Sequence, residues 1–413
     1  MLMQSLYNLF IRLTAFFLPV TKLFSSKMKS FVNGRKYVWD YLQKEINPKE
    51  KYIWFHVSSL GEYEQGVPMM QEIRKIYPEH KILLSFFSPS GYEIRKNNPL
   101  ADITIYLPLD TPKNAKRFVN FVQPALVFFV KYDFWPNYLN QLKTKNIPTY
   151  LVSGIFREEQ LFFKKYGKFY RKSLQAFDHF FVQEKHSETL LKSIGYENVS
   201  ITGDTRFDRV YEITHQDISL PEIETFIEGK PCVVFGSTWA KDEELIANYI
   251  NQSKQDIRYI IAPHDIKESN VARLEDSLKK KSVRYTKATT TEIKNSEVFI
   301  IDTIGMLTKI YAYADIAYVG GGFGAGIHNV LEPASYGVPI IIGPEYDKFK
   351  EAKELITQKS CIVINDQASF DQAMNQLMSN EESRQKLGQN NANYVEEQRG
   401  ATEKIIQYLQ NHS

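Results

Sequence analysis

The segment His56-Val57-Ser58-Ser59-Leu60-Gly61-Glu62 runs off an apolar strand pattern into a helical one, so Glu62 falls at the strand's carboxyl end in a Ser/Gly loop. A carboxylate there can serve the helix start, where the dipole favours it. It is also what general-base removal of a proton from an alcohol requires. Lys131-Tyr132-Asp133-Phe134-Trp135-Pro136-Asn137 follows the strand pattern ALVFFV in the same way. Asp133 either caps a helix that has Pro136 in its first turn or faces a reaction site. Arg206, in Gly203-Asp204-Thr205-Arg206-Phe207-Asp208, is either one half of a surface ion pair or a cation for a leaving phosphate.

Later in the chain, Gly320-Gly321-Gly322-Phe323-Gly324-Ala325-Gly326 leads into His328-Asn329-Val330-Leu331-Glu332-Pro333-Ala334. Glycines allow close backbone approach to a ligand, amides at a helix start bind phosphate, and Glu332 is placed to accept both hydroxyls of a ribose. The alternative for His328 and Glu332 is a hydrogen-bonded loop. Gly320, Gly322 and Ala325 also satisfy a loose G-x-G-x-x-A pattern, on which an NAD-dependent oxidoreductase would rest. That match is weak, since no long regular helix follows and no acid is suitably placed after a later strand. DxD, HExxH, P-loop lysine and clustered Cys/His motifs are absent from the sequence, which disfavours a metal site or NTP hydrolysis.

These residues need parallel sheets to position them. Strand patterns at 52–57, 81–87, 103–107, 125–130, 148–152 and 179–183 alternate with helical stretches, and a second series runs at 231–237, 257–263, 297–302, 315–321, 338–343 and 361–364. The expected organisation is a helix over 1–30, an α/β domain over 31–208, a linker over 209–230 around Pro221, a second α/β domain over 231–395 and a terminal helix over 396–413 broken at Gly400. Ligands of such sheets bind beyond the strands' carboxyl ends, so the expected site lies between the two domains.

At 413 residues with 24% charged residues, the composition is that of a folded protein of two or three domains. Two cysteines give no disulfide framework. The net charge of +3 is unevenly spread: residues 1–39 hold six bases and no acid. Large apolar residues at 6, 9, 10, 13, 16, 17, 20, 23 and 24 have helical spacing, opposite a polar or small strip of Asn8, Arg12, Ala15, Pro19 and Lys22. This reads as an amphipathic helix on an anionic membrane surface, with a single span or a helix packed on the protein's own core as alternatives. Between Arg157 and Lys172 six bases are interleaved with five aromatic residues, which suits either a solvated helix face or a phosphorylated amphiphilic ligand.

Taken together, HVSSLGE, YLPLD (106–110), DFWPN, SGIFRE, the 203–208 segment, FGSTW (235–239), IAPH and GGGFGAGIHNVLEPASYGVPIIIGP resemble the 3-deoxy-D-manno-octulosonic acid (Kdo) transferases, lipid A glycosyltransferases of Gram-negative bacteria. The resemblance spans nearly the whole chain. It implies a GT-B fold of two facing Rossmann-like domains, with an N-terminal membrane-associated helix and a C-terminal crossover helix. It also implies inverting transfer of Kdo from CMP-Kdo to lipid IVA, with neither metal nor cofactor, at the cytoplasmic face of the inner membrane, and no nucleic-acid partner. Carried over by position, Glu62 is the proton acceptor, and Asp133 and Arg206 are transition-state stabilisers. Pro263, His264, Ile304, Gly305, Met306, Asn329, Val330, Leu331 and Glu332 bind the CMP moiety. Four positions depart from the family pattern: Asp133 stands for Glu, Arg206 for Lys, His264 for Arg and Met306 for Glu. A GT-B enzyme using a UDP-sugar is the alternative within the same class.

Overall fold

The computed structural model describes residues 2–216, 218–324 and 326–412, and among them the chain divides into two α/β units. One runs to Arg209 and takes in the residues from Arg399 onward; the other spans Val210–Gln398.

The first unit is built on a seven-stranded parallel sheet: β1 (Lys51–Val57), β2 (His80–Phe86), β3 (Ile103–Tyr106), β4 (Leu126–Val130), β5 (Thr149–Gly154), β6 (His179–Val182) and β7 (Val199–Ile201). Its order is β3-β2-β1-β4-β5-β6-β7. The strands are mostly apolar and largely buried because helices cover both faces. Trp54, Phe129 and Tyr138 pack on one side, and Phe55, Val67, Phe128 and Ile405 on the other. From β1 the chain proceeds to β2 on one side, and from β4 to β5 on the other, so the strand order reverses between β1 and β4. That gap at the strands' carboxyl ends is where such sheets bind ligands.

The second unit repeats the plan with β8 (Cys232–Thr238), β9 (Arg258–Pro263), β10 (Ser282–Arg284), β11 (Val298–Ile300), β12 (Ile316–Val319), β13 (Ile340–Ile342) and β14 (Cys361–Val363). The order is β10-β11-β9-β8-β12-β13-β14, all parallel, and the reversal lies between β8 and β12. Both cysteines are buried and free. Within the stretch expected as linker, Pro221–Ile227 forms a helix whose Ile223 and Phe226 are buried beside Cys232 and Val234 in the second unit's core.

Gly400, at φ 98°, separates the helix Glu381–Gln398 from the last helix, Ala401–Asn411. A left-handed backbone is cheap only for glycine, which explains the break. Ile405, Ile406 and Leu409 of the last helix join the first unit's core. Asp208 caps this helix, accepting from the amides of Gly400 (2.6 Å) and Thr402 (2.7 Å) and from the Thr402 hydroxyl (2.6 Å).

At the amino end, the helix Leu2–Phe17 gives way at Pro19 to a 3-10 turn, Leu18–Leu23. Its half-buried residues are Tyr7, Asn8, Ile11, Thr14 and Ala15, whereas Leu6, Leu9, Phe10, Leu13, Phe16 and Phe17 are exposed. The more polar strip faces the protein and the apolar face points outward, the reverse of a helix packed on its own core. Met3–Leu23 is long and apolar enough to cross a membrane. The Tyr7 hydroxyl donates to Asp110 (2.7 Å), and Asn137 donates through its side-chain amide to Asn8 (2.9 Å).

Candidate functional site

In the first unit the site residues gather where the strand order reverses. Glu62 is the third residue of the helix Leu60–Ile76, buried to 6% exposure. The Ser59 amide (3.0 Å) and the Ser59 hydroxyl both donate to its Oε2. Among the described residues its Oε1 accepts no hydrogen bond. The capping reading and the functional reading are therefore compatible in one side chain: one oxygen holds the helix start, and the other could accept a proton.

Asp133 lies just past β4, on a loop that starts at Lys131 with φ 72°. A left-handed backbone at a lysine costs energy and marks a conformation held by its surroundings. Capping of the helix Pro136–Thr144 falls to Asp110 and not to Asp133: Asp110 accepts from the amides of Asn137 and Tyr138, both at 3.0 Å. Burial pushes the Asp110 carboxyl up to about 7 despite these donors. Asp133 instead contacts His56, Oδ2 to Nε2, at 3.0 Å. The Tyr132 hydroxyl is pushed above its ordinary value by burial and then by the charge of Glu62, with Asp133 adding and Arg157 opposing. Glu62, Asp133 and Arg157 thus share one electrostatic neighbourhood. Of the aromatic residues in the 157–172 stretch Phe162 is buried and Tyr166 is exposed; Phe134, next to Asp133, packs on Phe156 and Phe162 at ring distances of 5.5 and 4.9 Å. They brace the Asp133 loop, while Lys165 and Lys168 stay exposed.

Arg206 opens the helix Thr205–Thr214 and donates through Nε to Asp204 (2.8 Å). It is an ion pair, but with a buried partner. Burial works to raise the Asp204 carboxyl, yet the Arg206 charge and the Gln65 hydrogen bond (2.8 Å) hold it below the usual carboxylate range. Thr205 donates to the Gln65 carbonyl (2.6 Å). Since Gln65 is on the Glu62 helix, that helix and the Arg206 segment are fixed to each other.

In the second unit Ser237, with φ 53°, is the last residue but one of β8, beside the glycine segment. A Cβ on Gly320 would meet the Ser237 carbonyl at 2.5 Å, and one on Gly322 would meet Gly343 at 2.6 Å. These glycines therefore permit close crossing of backbone segments. The Gly321 amide donates to Asp242 (2.9 Å), those of Gly320, Gly324 and Gly326 donate to carbonyls, and Ala325 lies outside the described residues. Most of the amides expected to cradle phosphate are thus already occupied. Gly305, with φ 97° and open space around it, has an amide with no hydrogen bond among the described residues.

The nucleotide candidates are brought together in part. Glu332 receives Asn329 Nδ2 on one oxygen and Thr308 Oγ1 on the other, both at 2.9 Å. Thr308 follows Ile304–Met306 closely, so that loop and the 329–332 segment are tied; Val330 and Leu331 are buried and Ile304 is exposed. Pro263 ends β9, and the His264 amide donates to the Thr238 carbonyl (2.9 Å). The His264 ring is stacked between Trp239 (4.6 Å) and His328 (4.5 Å). Trp239 donates to His328 Nε2 (3.0 Å). Trp239 had no assigned role in the sequence; its place directly after β8 was the available signal. Burial, and secondarily His264, push His328 down to about 4, and burial lowers His264.

A neutral His328 takes up a proton on unfolding once the pH falls below its ordinary value of 6.5. The unfolded chain then binds more protons, so stability is full above that value and is lost as pH falls toward 4. Urea midpoints at pH 7 and pH 5 should therefore differ, and His328→Asn should narrow the difference.

The family model for 3-deoxy-D-manno-octulosonic-acid transferase matches residues 35–209. The chain is 29% identical over 387 residues to the 3-deoxy-D-manno-octulosonic acid transferase of Haemophilus influenzae, covering 88% of this chain and 87% of that one. The first half of the chain thus matches the Kdo transferase family model, and most of its length is similar to Kdo transferases. The Chlamydophila psittaci enzyme of the same name is 26% identical over 394 residues, covering 90% and 89% of the two chains. Among solved structures, UDP-GlcNAc 2-epimerase from Neisseria meningitidis is similar with a TM-score of 0.61 at 13% identity, covering 87% of this chain and all of that one, a likeness of fold alone. The two Rossmann-like sheets are those of the GT-B class. The His264 ring, stacked and lowered by burial, supplies no fixed positive charge at neutral pH.

Proposed function

We propose that the protein is a Kdo transferase that moves one Kdo residue at a time from CMP-Kdo to a primary hydroxyl of lipid IVA with inversion, at the cytoplasmic face of the inner membrane. The observation that carries this reading is Glu62, buried at the strand-order reversal with one carboxylate oxygen tied to Ser59 and the other open.

Glu62 Oε1 takes the acceptor's hydroxyl proton as that oxygen attacks the anomeric carbon. The bond from that carbon to the phosphate oxygen breaks on the opposite face, and CMP leaves with the bonding pair. The transition state has oxocarbenium character, which Asp133 favours by its charge. Arg206 and the Gly305 amide offset charge developing on the phosphate. Glu332 supplies the carboxylate that suits a ribose diol; Pro263, His264, Ile304, Met306, Asn329, Val330 and Leu331 complete the nucleotide set. No step needs a divalent cation, so CMP release should survive exhaustive EDTA treatment.

CMP release from CMP-Kdo that requires lipid IVA would support the reading. Equal release from a UDP-sugar, or a strict Mg²⁺ requirement, would contradict it.

The outward apolar face of the helix Leu2–Phe17 and the six bases before Asp40 support attachment to an anionic leaflet. Removing residues 1–30 should move the protein from the membrane to the soluble fraction while sparing CMP binding, as read by flotation and calorimetry. Unchanged partition would shift the attachment to the 157–172 surface.

A further inference from the structure

His328 stands one residue before the 329–332 segment assigned to the nucleotide, and the reaction as derived gives it no part. We propose that His328 is a binding residue for the sugar nucleotide: its ring, held in one tautomer by the Trp239 indole, presents Nδ1–H to an anionic oxygen of that substrate. The inference rests on the nucleotide site proposed above. The oxygen belongs either to the phosphate of the nucleotide or to the carboxylate of the sugar acid.

The strand order β9-β8-β12 sets three strand ends side by side where the order reverses. Trp239 follows β8, His264 follows β9, and His328 belongs to the glycine-rich segment after β12. The His328 amide donates to the Gly320 carbonyl (3.1 Å), which folds that segment back toward the strand end. A Cβ on Gly321 would meet Cδ2 of the His328 ring at 3.2 Å, so the glycine leaves the ring its place. His264 lies against the ring's face, with centroids 4.5 Å apart and planes 29° from parallel.

One bond decides where the ring's hydrogen sits. The Trp239 indole nitrogen lies 3.0 Å from His328 Nε2. An indole N–H only donates, so Nε2 must offer a lone pair. That excludes the imidazolium, which carries a hydrogen on both nitrogens, and the neutral tautomer with its hydrogen on Nε2. The form that remains has its single hydrogen on Nδ1. A ring flipped over would set a carbon and its hydrogen against the indole, so the same contact fixes the orientation. Burial, and secondarily His264, push His328 down to about 4, in agreement with a neutral ring.

Among the described residues Nδ1 makes no hydrogen bond, and His328 is half-buried, so this N–H is not sealed into the core. The neighbouring groups narrow what it meets. The Glu332 carboxylate suits hydroxyls, which can donate to it, whereas phosphate and carboxylate oxygens only accept and need an N–H. A hydrogen bond to a charged oxygen is also the stronger kind. With His264 lowered by burial as well, an oriented N–H takes the place of a fixed cation at this point of the site.

The test uses the full-length protein with cytidine and CMP in calorimetry and with CMP-Kdo in transfer to lipid IVA. His328→Phe keeps a ring beside His264 and removes the N–H. If the phosphate is the partner, the CMP dissociation constant should rise about tenfold with cytidine unchanged. If the sugar carboxylate is the partner, CMP should bind as in wild type while KM for CMP-Kdo rises about tenfold and kcat changes less. His328→Asn sets an amide N–H near the place of Nδ1–H and should stay within about threefold of wild type in both readings. Trp239→Phe makes Trp239 separable as the positioning residue. It keeps a ring on His264 and frees Nε2, so the hydrogen divides between the two nitrogens and affinity should fall about two- to fivefold. NMR of isotope-labelled histidine ring nitrogens should show one tautomer of His328 in wild type and a mixture in Trp239→Phe.

Wild-type CMP affinity and KM in a folded His328→Phe would overturn the inference. So would an equal loss in His328→Asn, a loss that extends equally to cytidine, or a hydrogen on Nε2 of wild-type His328. If His328→Phe does not fold, a Trp239→Phe protein with wild-type affinity, KM and ring spectrum overturns it. Failure of the wild-type protein to bind CMP would remove the nucleotide reading itself and this inference with it, whereas CMP binding that is indifferent to His328 removes the inference alone.

Discussion

Glu62→Gln should lower the transfer rate by about 100- to 10,000-fold, the range for loss of a general base, while leaving the fold and CMP affinity nearly unchanged. Glutamine at the third helical position still accepts from the Ser59 amide, so the capping box survives. What is lost is the carboxylate's charge, worth about 0.3–1 kcal/mol at a helix start, and the ability of Oε1 to take a proton. Transfer followed by CMP release, with calorimetric CMP titration as the control, reads both effects. A variant within a few-fold of the wild-type rate would remove Glu62 from the chemistry and leave only its structural role.

Arg206→Gln should damage rate and stability together, and the two can be separated. Asp204 is buried and its carboxylate is held by Arg206 and Gln65. Removing the cation leaves a buried charge half satisfied, which costs about 2 kcal/mol given that Arg206 itself is partly exposed. The rate should fall about 100-fold as charge on the leaving group goes unmatched. Asp204→Asn combined with Arg206→Gln should recover most of the urea stability, because no unpaired carboxylate remains, and should leave the rate low. Arg206→Lys keeps the charge and should stay within about tenfold of wild type. Recovery of rate in the double variant would mean that Arg206 acts only through stability.

The sheets were legible in the sequence where strands are long and apolar. YIWFHV and PCVVFGS read directly as β1 and β8, since burial on both faces demands continuous apolar runs. The edge strand β10 was missed because Ser282–Arg284 is short and polar, as unprotected edges tend to be. Glu62 and Asp133 stood out because each follows a readable strand. The choice between capping and chemistry did not, since it depended on Asp110 reaching the Pro136–Thr144 helix from another strand's end. The same limit hid the stacked Trp239, His264 and His328, which come from three different strand ends. The glycines after β12 were visible, but their purpose was not: whether a Cβ would meet a ligand or a neighbouring backbone is a tertiary question that Ser237 and Gly343 answer.

The most direct test of the central claim is mass spectrometry of the lipid after incubation of the purified full-length protein with lipid IVA and CMP-Kdo. A lipid heavier by one or more whole Kdo residues, formed with CMP-Kdo and not with a UDP-sugar, is the expected result. Unmodified lipid alongside intact CMP binding, or modification only by a UDP-sugar, would contradict it.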